Sequence, residues 1–63
     1  MQQKVRIGEY TLSFMDRMRL QAFATAYGEF REAHGLAAAK RILPDMARRY
    51  GAVRVERNTE IER

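Results

Sequence analysis

The chain has no cysteine, no tryptophan, one proline and one histidine among its 63 residues. Without cysteine there are no disulfide staples and no thiolate metal sites, and His34 alone cannot assemble a histidine-based centre. Catalysis is poorly supplied for the same reason. General acid–base work needs a group that titrates near its task, and His34 is the one such side chain. It precedes Gly35 at the expected end of a helix, where its ordinary role is to sit against the last carbonyls and the negative helix end. There are no paired carboxylates, no glycine-rich phosphate loop and no metal-ligand spacing. The expectation is a chain that is not an enzyme and carries no cofactor. No apolar run approaches the roughly 18 residues a membrane span needs, and no signal-peptide pattern opens the sequence. A cytoplasmic location with no membrane partner is expected.

What is present points to a small folded domain. Hydrophobic residues make up 46% and charged residues 32% of the chain, a balance that a disordered tail does not show. At this length folding buries only about 60% of the unfolded chain's surface. Disulfides and metals being absent, association is the remaining stabiliser, so a homodimer is expected.

Val5 and Ile7, then Tyr10 and Leu12, alternate with polar residues on either side of Gly8-Glu9. This reads as a hairpin over 4–12 with a type II′ turn, Ile7 opposite Tyr10 and Val5 opposite Leu12. The other reading is an extended arm. Ser13 followed by Asp16 resembles a capping box, so a long helix is expected over 14–34, stopped by Gly35. On that helix Leu20, Phe23, Tyr27 and Phe30 fall within about 80° of arc, an apolar stripe flanked by Met15, Ala22, Ala26 and Ala33. Gly28 marks either a close approach of another backbone or a break. A second helix over 36–50 is expected, with Pro44 kinking it or, in the other reading, opening a short third helix. Gly51 ends it. Val53 and Val55 then alternate with Arg54 and Glu56, giving a strand over 52–56 and a polar tail over 58–63. The fold class is therefore a mostly helical α+β domain.

The charge is uneven. Of the net +4, residues 40–57 carry all of it: Lys40, Arg41, Arg48, Arg49, Arg54 and Arg57 stand against Asp45 and Glu56. Lysine and arginine neutralise phosphates and release counterions, and the planar fork of arginine suits phosphate and guanine edges. These six cations are the expected nucleic-acid contacts of a small DNA-binding regulator. The same cations would also suit an acidic protein surface. The aromatic stripe offers a rival function. Met15, Leu20, Phe23, Tyr27 and Phe30 would dock on a hydrophobic partner protein, as a modulator, unless they form core or a dimer seam. A structural subunit of a larger assembly is the third class.

Ala47 and Gly51, four residues apart, resemble the helix-turn-helix spacing in which a small residue packs beside a glycine turn. That resemblance implies a recognition helix over 54–63, offering Arg54, Arg57 and Asn58 to bases. A strand followed by two helices resembles the order in ribbon-helix-helix repressors. The long first helix and the early Gly8-Glu9 turn depart from that pattern, so no family is assigned.

Overall fold

In a computed structural model, which describes residues 1–58, the chain forms a three-stranded antiparallel sheet and two helices. Strand β1 spans Gln3–Ile7, β2 Tyr10–Phe14, α1 Arg17–His34, α2 Leu36–Arg49 and β3 Ala52–Arg57. The sheet order is β1-β2-β3, so β2 is central and the other two strands form the edges.

The hairpin forms in the register that the alternation predicts, Ile7 facing Tyr10 and Val5 facing Leu12. Gly8 takes φ 59° while Glu9 keeps a negative φ, the combination a type II′ turn requires. The extended-arm reading is overturned. β3 also ties the turn down: the Asn58 amide donates to the Glu9 carbonyl at 2.7 Å, and the Thr11 hydroxyl donates to Asn58 Oδ1 at 2.6 Å. Asn58, expected in a polar tail, is thus a fastening point, and the rest of that tail lies outside the described residues.

The first helix starts three residues later than expected, at Arg17. Ser13 is not its cap. Ser13 and Phe14 continue β2, pairing with Lys4 and Gln3, because Phe14 is wholly buried only while the strand runs on through it. Asp16 is the N-cap instead, its carboxylate accepting the Arg19 backbone N–H at 2.9 Å. Met15 lies in the bend between β2 and α1, outside the helix that was expected to hold it. α1 passes Gly28 unbroken, and a Cβ there would meet nothing among the described residues within 4 Å.

Gly35 joins the helices at φ 92°, a backbone state that glycine adopts without a Cβ penalty. Its N–H donates to the Arg31 carbonyl at 2.8 Å and its carbonyl accepts from Ala39 at 3.1 Å, so one residue ends α1 and opens α2. α2 runs through Pro44 as one helix, and no third helix begins there.

One cluster holds the fold together. Leu12 and Phe14 of β2, Phe23 and Tyr27 of α1, and Ala39, Leu43 and Ala47 of α2 are buried in it. Ring centroids lie 5.3 Å apart for Phe14–Phe23 and 5.7 Å for Phe23–Tyr27. Val5, Ile7 and Val55 pack on the same sheet face from the edges. The helices therefore cover one face of the sheet and leave the other bare of helix.

The strand after Gly51 forms as expected, pairing antiparallel with β2 from Tyr10–Arg57 down to Phe14–Ala52. A register shift beside Ser13 leaves Val53 as the additional residue of a bulge. A recognition helix from residue 54 is overturned: Arg54 and Arg57 are strand residues whose backbone belongs to the sheet. Val53 and Val55 alternate too regularly to give a helix an apolar face, and β2 offers Val55 and its neighbours a ladder.

Candidate nucleic-acid interface

The six cations of residues 40–57 are all exposed, but the fold does not keep them together. Four belong to α2. At 100° per residue, Arg41 and Arg48 stand two turns apart on the side opposite the buried Ala39, Leu43 and Ala47. Asp45 shares that side and approaches Arg48 at 3.5 Å. Both side chains of this pair are solvent-exposed, so its contribution is about 0–1 kcal/mol. Arg48 is therefore not committed by it. Arg49 flanks the row on one side. Lys40 flanks it on the other and reaches a shallow apolar cleft beside the hairpin turn, walled by Leu36, Leu43, Tyr27 and Tyr10, with Glu9 at its rim.

The other two cations stand on β3 and have carboxylates beside them. Arg57 meets Glu9 at 3.2 Å and Arg54 meets Glu56 at 3.4 Å. Arg54 also faces away from the helices. Leu12 and Val55 share the core side, so their neighbours Ser13 and Arg54 alternate to the bare side of the sheet. There Lys4, Ser13 and Arg54 form one cross-strand row, and Arg6, Thr11 and Glu56 form the next. Lys4 and Arg6 were not among the expected contacts. Only the sheet register brings them onto the same face as Arg54, with β2 between them and some fifty residues of chain separating them, and no local pattern announces that arrangement.

The aromatic stripe has a different fate. Phe23 is fully buried and Tyr27 nearly so, both within this chain's own core. Leu20 and Phe30 are half-buried against the same cluster, and Met15 is 54% exposed. His34 lies against Phe30 at a ring distance of 4.4 Å with the rings tilted by 36°, one helical turn away. Of the five residues proposed for a protein interface, the two with the largest apolar burial thus face inward. Among the described residues the bare sheet face carries no aromatic side chain, so they offer no stacking platform of the kind that single-stranded nucleic acids use.

Among the described residues no group of histidine and carboxylate side chains could hold a metal ion. No described helix is long and apolar enough to cross a membrane. No protein-family model, curated protein or solved structure matches this chain.

Proposed function

We propose that this protein is a small non-enzymatic regulator that binds double-stranded DNA, as a dimer, through the outward side of α2. The supporting observation is the α2 surface itself: Lys40, Arg41, Arg48 and Arg49 are exposed on one helix beside a single acid, Asp45. From Lys40 to Arg49 the helix advances about 14 Å. Its diameter with side chains, about 10–12 Å, matches a major groove about 12 Å wide. Arg54 and Arg57 contribute less in this reading, because neither lies on the α2 surface.

The number of cations on α2 sets a quantity to measure. Three or four phosphate contacts give a slope of about −3 in log affinity against log salt, at −0.9 per phosphate. Replacing Arg41 and Arg48 by Gln should flatten that slope by about two and weaken specific and random duplexes alike. Arg54→Gln should move it by less than one. Mobility-shift titrations at three salt concentrations read all of this. A wild type that binds no duplex at about 50 mM salt ends the DNA reading. The protein-docking reading would then rest on Met15 and the accessible rims of Leu20 and Phe30.

A further inference from the structure

The two edges of the sheet are chemically different, and the difference concerns what can pair with them. In an antiparallel ladder, residues alternate between turning their backbone groups toward one neighbour and turning them away. Asn58 donates to Glu9, so Glu56 and Arg54 also turn toward β2, and Val55 and Arg57 turn their N–H and C=O toward the open edge. At the other edge the two-residue turn makes Ile7–Tyr10 a hydrogen-bonded pair. Val5 then turns inward, and Lys4 and Arg6 turn their backbone groups outward.

A row of unpaired backbone groups is a template for another strand, and positive side chains on the edge are a common defence. β1 has that defence. Any antiparallel pairing of β1 with its own copy, centred on residue 4, 5 or 6, sets Lys or Arg against Lys or Arg on the bare face. β3 has the opposite property. A two-fold axis at Val55 sets Val55 against Val55 of the second copy, as a pair whose outward N–H and C=O groups can exchange both hydrogen bonds. The same register places Arg54 opposite Glu56 of the second copy, and Glu56 opposite its Arg54. Directly opposed charges of unlike sign stabilise a strand pair, and like charges oppose it. Val53, exposed at 46%, lies on this edge as well.

We infer that two copies of this chain join edge to edge through β3, about an axis at Val55, into one six-stranded antiparallel sheet. The occupant of the β3 edge is a second copy because the edge is complementary to itself in both hydrogen bonding and charge. The inference supplies the dimer of the proposed function but uses no residue of α2, so a monomeric protein would overturn the inference while duplex binding through α2 is read separately.

Sedimentation equilibrium on the protein free of nucleic acid tests it. The wild type should dimerise reversibly. Glu56→Arg and Arg54→Glu should each weaken the dimer by roughly tenfold or more, because each change acts twice across the axis. Combining the two restores unlike charges in reversed order and should recover most of the loss. Val55→Pro removes an N–H that β2 does not use, so it should give a monomer with an unchanged far-UV spectrum. Hydrogen exchange at the Val55 amide should slow as protein concentration rises. A wild type that stays monomeric at about 100 µM overturns the inference. So does a dimer indifferent to both single charge reversals, or a double variant no better than either single one.

Discussion

The two helices meet one core with opposite kinds of residue. α1 sends in large rings, Phe23 and Tyr27, whereas α2 presents Leu43 between two alanines, Ala39 and Ala47. Their outer sides differ too. α1 mixes signs there, with Arg17, Arg19 and Arg31 exposed beside Glu29 and Glu32, while α2 carries four cations and one acid. The inner difference has a packing reason: an interior filled to crystal-like density needs small residues where large ones arrive. The outer difference has none. Arg48 and Arg49 lie in the last turn of α2, where cations suit the negative helix end, whereas Lys40 and Arg41 have no such local reason, and they are the part of the comparison that supports a ligand.

The comparison breaks most visibly at Phe23. This ring lies against Phe14 and Tyr27 and approaches Tyr50 edge-on at 6.5 Å, joining β2, α1 and the end of α2. Phe23→Ala should cost about 3–5 kcal/mol, a large share of the roughly 5–15 kcal/mol that stabilises an ordinary domain. Arg41→Gln, on the far side of the other helix, should stay within about 0.5 kcal/mol of wild type. Urea denaturation of the two variants side by side reads the contrast. A Phe23→Ala loss below about 1 kcal/mol would show that the core is not centred on this ring.

Each helix also contains one residue that a helix does not favour, and these sharpen the comparison. In α2 it is Pro44, which withholds an N–H from the Lys40 carbonyl and crowds it with its ring. Pro44→Ala should restore that bond and raise stability by about 1–3 kcal/mol, less whatever the proline gains by stiffening the unfolded chain. Thermal melts give the sign. A neutral or negative result would mean that a bend at Pro44 is used in packing Leu43 and Ala47 together.

Much of this architecture is legible in the residues taken in order. Alternation about Gly8-Glu9 is enough to set the hairpin register, and Gly35 and Gly51 end their helices because a positive φ suits glycine at both. The start of α1 is not legible locally. Ser13 and Asp16 are both good cap residues, and the choice between them is made by Phe14, whose burial against Phe23 keeps the strand going. The candidate interface is legible in part. Arg41 and Arg48 stay on one side of α2 because seven residues make almost two full turns, with Lys40 and Arg49 to either side of them. Arg54 leaves them because the chain reverses at Gly51 and the strand turns alternate residues to opposite faces. Lys4 joins Arg54 for a reason that no local window contains, the pairing of both β1 and β3 with β2.

The smallest expected effect separates the chain alone from the chain in company. Gly28 sits in the exposed middle of α1, where glycine costs the helix roughly 0.5–1 kcal/mol relative to alanine. Nothing in the chain demands it, since its φ is ordinary and a Cβ would find open space. Gly28→Ala should therefore stabilise the fold by about that amount, and by the same amount at low and high protein concentration. Concentration is the informative variable. α1 packs over the central strand and α2 is the helix beside β3, so a dimer built on the β3 edge leaves Gly28 in solvent and the gain unchanged. Were a second copy instead to lay its backbone against α1, the new methyl would obstruct it. The gain seen in dilute solution would then shrink or reverse as the protein is concentrated, which calorimetry at two concentrations would detect. A constant gain favours β3 over α1 as the surface where copies meet.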